Sequence, residues 1–306
     1  MTSDLNLLAT TGWSDYALLD SGRGRKLERF GKLRLVRPEP QALWQPSRPE
    51  AEWESADAFF DAKPGDSKAG DEDDNWGRWR FARDLAPEWP VAYRDIRVAC
   101  RFTAFRHVGL FPEQAPHWDW VAERKPAVEG GARPKLLNLF AYTGAASLVA
   151  AAAGYEVTHV DSSKKAIAWA KENQAASGLT QAPIRWICED ARTFIAREVR
   201  RGAAYDGVVL DPPSWGHGPN GQAFSIDRDL GPLLGDLAEL LGAARAASHA
   251  GPVLLTCHSP RWHHRHLHDT LADVLGEGGI ESGRLACTDA GGRTLALGDY
   301  ARWTSP

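Results

Sequence analysis

The order of apolar and polar positions changes character about a third of the way along the chain. From Pro134 onward, short apolar runs alternate with stretches of helical period. KLLNLFAY (135–142) predicts a buried strand, TGAASLVAAAAG an Ala-rich helix closed by Gly154, and YEVTHVD (155–161) a second strand. SSKKAIAWAKENQAASG predicts a helix capped by Ser162 or Ser163 and ended at Gly178. IRWICED (184–190) predicts a third strand, ARTFIAREVRRG a helix, and YDGVVLDPP (205–213) a fourth strand that stops at its prolines. After a Gly-rich loop, DLGPLLGDLAELLGAARAA reads as a helix and GPVLLTCHSP (251–260) as a fifth strand. An amphipathic helix near 263–276 then precedes two closing strands, IESGRLACT and RTLALGDYARW. This alternation predicts a mostly parallel, doubly wound α/β sheet with one antiparallel edge and a ligand above the carboxyl ends of its strands.

The first third lacks this rhythm and predicts a separate, small β-rich unit, with a boundary near residue 100 (1–100 and 101–306). Residues 16–37 read as two short strands around a Gly-containing turn, with basic residues from Arg23 to Arg37 interrupted only by Glu28. The stretch from Pro38 to Asn75, with an acidic loop near 50–75 that ends in Asp71, Glu72, Asp73 and Asp74, reads as an exposed loop or linker. WGRWRF and VAYRDIRVACRFTAF return to β-like alternation.

Composition adds boundaries. With 306 residues, 43% hydrophobic and 25% charged, the chain is an ordinary globular protein. A net charge of −4 excludes a broadly basic nucleic-acid binder, so any polyanion site has to be local. The four cysteines, Cys100, Cys188, Cys257 and Cys287, show no paired spacing, which suggests neither a disulfide framework nor a zinc knuckle. The first residues carry no basic segment followed by a long apolar run, and no stretch approaches the roughly 20 apolar residues of a membrane span. An unexported, cytoplasmic protein without membrane or metal partners is the expectation.

Chemistry is expected at the strand ends. An acid after the second strand, Asp161, is placed to accept hydrogen bonds from the two hydroxyls of a ribose, although helix capping is the plainer role for an Asp before SSKK. Gly144 opens the first helix, where the absence of a Cβ lets backbone approach a ligand. Neither GxGxxG nor GxxxxGK[ST] is present, which argues against dinucleotides and ATP hydrolysis and leaves a nucleoside without pyrophosphate; S-adenosylmethionine is the common one. Asp190 is a candidate acceptor for an adenine amino group or a helix cap. In DPPS (211–214), consecutive prolines stiffen the backbone and hold Asp211 and the Pro212 carbonyl in place beside a flat acceptor.

The runs LLNLFAYTGAASL, VTHVDSSKKAIAWAKEN, EDARTF, YDGVVLDPPSWG and LLTCHS, preceded by FRHVGLFPEQAPHW (105–118), resemble the class I S-adenosylmethionine-dependent methyltransferases, and within them the ribosomal RNA large-subunit methyltransferase-like family. The resemblance runs from about residue 100 to the end. It implies a Rossmann-like seven-stranded sheet with a reversed last strand and cofactor contacts by Gln114, Phe140, Tyr142, Thr143, Gly144, Asp161, Asp190 and Asp211, with their neighbours Ala145, Ser162, Ala191 and Pro212. It also implies methylation of a base in RNA, ribosomal RNA first, with Asp211 at the catalytic centre. A small-molecule or protein methyltransferase, or a non-catalytic RNA-binding or partner-binding module on the same fold, are the alternatives.

Three further features stay open at this level. Cys257, in TCHS, resembles the nucleophile segment of cytosine-C5 enzymes, whereas Ser214 stands where some of those enzymes carry a second Cys; a buried core thiol is the other reading. His264 and His268 lie four apart on a helix, but methyl transfer from a sulfonium needs no metal and no metal is expected. The basic hairpin with Arg23, Arg25, Lys26, Arg29, Lys32 and Arg34 either touches RNA phosphates or forms a wet surface.

Overall fold

The computed structural model describes residues 5–62, 76–217, 222–242, 244, 250–259, 261–276 and 278–305. The chain forms two compact units, one of residues 1–8, 116–285 and 298–306, the other of residues 9–115 and 286–297.

The N-terminal unit holds β2 (Tyr16–Gly22), β3 (Arg25–Phe30) and β4 (Leu33–Pro38), followed by α1 (Glu50–Glu54), β5 (Ala58–Ala62) and β6 (Gly77–Phe81). A short edge strand, β1 (Leu7–Thr10), precedes them. Strands β2 to β6 make a sheet in sequence order, and β7 (Glu88–Tyr93) pairs with β8 (Ile96–Arg101) in a separate antiparallel ribbon. Residues 16–37 therefore form three strands where two were expected, because both Arg23-Gly24 and Gly31 adopt the left-handed backbone that reverses a chain tightly. Within the expected linker, α1 and β5 form regular structure. Trp53 on α1 is 1% exposed and its Nε1 donates to Asp20 Oδ2 at 3.1 Å, so one buried indole pins the acidic stretch to the sheet. The acidic run at 71–74 lies outside the described residues.

The basic hairpin is largely satisfied from within. Arg37 donates to both oxygens of buried Glu28 at 2.7 and 2.9 Å, and Lys26 lies 3.7 and 3.6 Å from Glu28 and Glu39. Arg25 pairs with Glu50, while Arg29 and Arg34 donate to the Ser14 and Ser55 carbonyls. A second network surrounds Asp20, which accepts from the Ser47 and Arg48 N–H groups and from Arg293. Arg293 also holds Asp289, which in turn accepts from Ser21 Oγ at 2.9 Å.

The second unit begins with α2 (Ala115–Glu123) and contains β9 (Lys135–Leu139), α3 (Ala145–Ala152), β10 (Glu156–Asp161), α4 (Lys164–Ala176), β11 (Ile184–Cys188), α5 (Ala191–Arg200) and β12 (Gly207–Leu210). After the short hairpin β13 (Trp215–His217) and β14 (Ala223–Ser225) come α6 (Ile226–Leu240), β15 (Val253–Cys257), α7 (His264–Leu275), β16 (Gly279–Thr288) and β17 (Thr294–Thr304). Strand order is β1-β16-β17-β15-β12-β9-β10-β11. The pairs among β15, β12, β9, β10 and β11 are parallel, and β17 runs antiparallel to β15, as the reversed last strand requires. The expected seven strands are joined by an eighth, β1, at the edge beside β16.

Local chemistry explains the elements. Ser163 caps α4 by accepting from Ala166 N at 3.2 Å, and Asp190 caps α5 by accepting from Thr193 N at 3.1 Å. The stretch expected as a Gly-rich loop contains β13 and β14, because Phe224 is buried, with its ring 5.1 Å from that of Phe140. The main core lies between β12, β15 and helices α5, α6 and α7, filled by Leu210, Leu230, Leu234, Leu237, Leu255, Leu267 and Leu271. Among the described residues, no helix is long and apolar enough to cross a membrane.

Candidate functional site

Chain direction reverses its path across the sheet between β9 and β12: from β9 it proceeds to β10 and β11 on one side, then returns to β12 and β15 on the other. The carboxyl ends flanking such a switch point form a natural crevice. Into this end of the unit the structure brings Phe140, Tyr142, Thr143, Gly144 and Ala145 after β9, Asp161 and Ser162 after β10, Asp190 and Ala191 after β11, and Asp211 and Pro212 after β12. Gln114 belongs to the other unit, where it closes the 3-10 turn Pro112–Gln114 and is buried.

The loop after β9 has a forced backbone. Phe140 and Tyr142 carry positive φ of 54° and 49°, conformations that cost a non-Gly residue roughly 1–3 kcal/mol each and persist only where surroundings dictate them. Those surroundings are visible. Ala141 N donates to Val160 O at 3.1 Å, Tyr142 N to Asp161 Oδ2 at 2.8 Å, and Asn173 Nδ2 to the Thr143 carbonyl at 3.0 Å. Gly144 (φ 87°) completes the turn. A Cβ there would stand 3.0 Å from Ala170 Cβ and 3.5 Å from His159 Cε1, so the missing side chain allows α3 and α4 to pack closely.

Below the loop lies a buried polar chain. Asn138 Nδ2 donates to Ser147 Oγ at 2.9 Å, and Ser147 Oγ lies 2.9 Å from His159 Nδ1. Burial depresses the His159 pKa to about 3, so its imidazole is neutral and packs against Trp186 at 4.6 Å. Sequence reasoning passed over Asn138, Ser147, His159 and Asn173. The available signal was a polar residue in the middle of each of two apolar strands, KLLNL and EVTHV.

Asp161 accepts from Tyr142 N through Oδ2 and from Ser163 N through Oδ1, both at 2.8 Å. Burial raises its pKa, while those two N–H bonds oppose the rise. Since Ser163 performs the capping, the carboxylate is not spent on the helix terminus. Each of its oxygens keeps a lone pair for a hydroxyl donor. Asp190 is engaged otherwise: besides capping α5 it takes Arg192 Nε and Nη2 at 3.2 and 3.0 Å, and Arg192 Nη1 reaches Asp229 at 3.0 Å. Arg192 thereby ties the end of β11 to the start of α6.

Asp211 Oδ1 accepts a hydrogen bond from Thr256 Oγ1 on β15, and His258 Nε2 lies 3.7 Å away. Gly298 on β17 makes room for that imidazole, because a Cβ there would come within 2.9 Å of His258 Cε1. Cys257 points the other way. It is 1% exposed, sits in the main core, and its Sγ accepts from Ser259 N at 3.3 Å. Burial pushes its pKa up to about 12, helped by Asp211, Asp299 and Asp227 and opposed by the Ser259 N–H. Of the two readings open for Cys257, its burial in the main core and raised pKa are those of a core thiol. Among the described residues, no group of three His, Cys, Asp or Glu is placed to hold a metal ion.

A carboxylate with a lone pair left on each oxygen, beneath a strained loop and without a phosphate-binding glycine pattern, has the chemistry to accept from the hydroxyls of a nucleoside. The family model of S-adenosylmethionine-dependent methyltransferases matches residues 73–259. A solved S-adenosylmethionine-dependent methyltransferase from Agrobacterium tumefaciens is 43% identical, with a TM-score of 0.90, covering 99% of this chain and 95% of that one. A putative methyltransferase from Streptococcus mutans, 15% identical, matches in fold alone, with a TM-score of 0.69 over 96% of this chain and 76% of the other. The ribosomal RNA large subunit methyltransferase K/L of Magnetococcus marinus is 32% identical over 154 residues, 49% of this chain but 20% of that protein. This chain thus spans about a fifth of that curated relative. The match over most of its sequence and nearly all of its fold makes the chain a member of the S-adenosylmethionine-dependent methyltransferase family.

Proposed function

We propose that the chain methylates a base in RNA, with ribosomal RNA in the cytoplasm as the first substrate to test. The observation that carries this reading is the cradle at the ends of β9 and β10, coupled with the 32% identity to a ribosomal RNA methyltransferase. S-adenosylmethionine, when bound, supplies a methyl group on a sulfonium that leaves as a neutral thioether. Asp161 would hold the ribose hydroxyls, and the loop from Phe140 to Ala145, with Ser162, would shape the nucleoside and amino-acid contacts. Asp190 and Ala191, stiffened by Arg192, would line the adenine side. The Pro212-Pro213 backbone fixes Asp211, and Thr256 and His258 flank its carboxylate, so this group would orient the acceptor. No thiol step is included.

Incubating the protein with methyl-labelled S-adenosylmethionine and separate pools of RNA, protein and metabolites tests the reading. Label is expected in RNA. Label in protein or metabolites with none in RNA would reject the substrate.

A further inference from the structure

The segment from Trp76 to Arg106 contains seven arginines, no lysine, three acidic residues and seven aromatic rings. In a chain of net charge −4 this is a local cationic, aromatic block. The structure gathers six of these rings at the β6 edge of the N-terminal sheet, while Tyr93 packs against Trp13 instead. Trp76 and Phe105 bridge across at a ring distance of 5.3 Å, and Phe81, Trp79 and Trp89 surround Phe102 at 4.9, 5.0 and 4.6 Å. Trp79 and Trp89 are anchored by their indole N–H groups to the Phe105 and Phe30 carbonyls. Trp76, Phe81 and Phe105 are left 43%, 45% and 48% exposed, three of the four large aromatic side chains so exposed among the described residues. Arg78 and Arg80 alternate with Trp79 and Phe81 along β6, and Arg97 is exposed on β8.

Rigid, half-exposed rings beside guanidinium groups match the chemistry of a single nucleic-acid strand: every base has a flat face to stack, and every linkage carries a phosphate. An edge strand offers rings from one face and long arginines from the other to the same passing chain. The internally paired hairpin at 23–34 offers much less of this. We propose that this aromatic edge of the N-terminal unit binds single-stranded RNA, with Trp76, Phe81 and Phe105 stacking bases and Arg78 and Arg97 meeting phosphates. The inference rests on the reading of RNA as substrate and assigns that substrate a single-stranded segment outside the methylation site.

The test uses the full chain and a fluorescein-labelled twelve-nucleotide oligouridine, followed by anisotropy between about 50 and 200 mM salt. Replacing Trp76, Phe81 and Phe105 together by Ala is expected to weaken binding about 100-fold, since stacking on one aromatic contributes on the order of 5- to 150-fold. The conservative set Trp76→Phe, Phe81→Tyr and Phe105→Tyr should stay within about threefold of wild type, which separates stacking from damage to the fold. Arg78→Gln with Arg97→Gln should lower the slope of log affinity against log salt by about 1.4. Binding by the triple Ala protein within twofold of wild type overturns the proposal. So does a wild-type protein without RNA affinity whose self-association, read by sedimentation, is lost in the triple Ala protein, because the edge is then a protein interface. Methyl label on RNA distinguishes the two readings: label retained with unaltered oligouridine binding removes the aromatic edge and leaves the proposed function standing.

Discussion

Cys257→Ala separates a covalent from a direct methyl transfer, and the structure sets the size of both outcomes. The thiol is 1% exposed with a pKa raised to about 12. At pH 7.5 only roughly 1 in 30,000 molecules would carry the thiolate, a deficit on the order of 6 kcal/mol at about 1.4 kcal/mol per pKa unit. A mechanism starting from that thiolate would be slow at neutral pH and would accelerate tenfold per pH unit well into the alkaline range. Removing the sulfur from the core leaves a small void and deprives Ser259 N of its acceptor. The stability cost is on the order of 1–2 kcal/mol, a few degrees of melting temperature. The expected result is unchanged S-adenosylmethionine affinity by calorimetry, a slightly lower melting temperature, and label transfer within about threefold of wild type. A loss of transfer of about 1,000-fold or more with cofactor binding intact would refute the reasoning and restore Cys257 as nucleophile.

Other perturbations address the cradle. Asp161→Ala removes the acceptor for Tyr142 N and Ser163 N as well as the proposed ribose contact, and should weaken S-adenosylmethionine at least about 30-fold in calorimetry. Because burial raises the Asp161 pKa, protonation turns one acceptor oxygen into a donor at a higher pH than for an ordinary carboxyl, so affinity should fall on acidification before about pH 4 is reached; affinity flat to that point would contradict this. Gly144→Ala forces a Cβ to 3.0 Å from Ala170 Cβ at φ 87°, and denaturant unfolding should show a loss of about 2–4 kcal/mol. His159 is neutral in the fold, with a pKa of about 3, and takes up a proton near 6.5 when unfolded. The unfolded chain then binds more protons between those values, so stability should decline as pH falls from about 6.5 towards 3, by up to about 1.4 kcal/mol per unit, and His159→Gln should flatten that slope.

The sheet was legible because its signals are local. Apolar runs bounded by Gly154, Gly178 and the prolines at 212 and 213 mark the strands and helices of the second unit, and the closing antiparallel strand is found where the last run predicts it. The strand-end residues are brought together because a parallel sheet sends every carboxyl end to one side. What stayed hidden depends on partners distant in sequence. Nothing near Asp190 announces that Arg192 will bind both it and Asp229. Nothing near Cys257 shows whether it faces the core or the crevice, because adjacent strand residues face opposite ways and register decides. In the N-terminal third, charge was a poor guide: Lys26, counted in the basic hairpin, is buried against Glu28 and Glu39, and Arg37 is buried against Glu28.

The β16–β17 hairpin carries a consequence for how this protein is made. Its tip, 286–297, belongs to the N-terminal unit, where Asp289 and Arg293 close the network around Ser21 and Asp20. Those partners are 268 to 273 residues apart, so during synthesis the N-terminal strands wait for the β16–β17 hairpin to complete their polar core. A ribosome that terminates short of Arg293 would release two unfinished units, and a fragment cut after residue 115 would keep Asp20 as a buried carboxylate without its guanidinium.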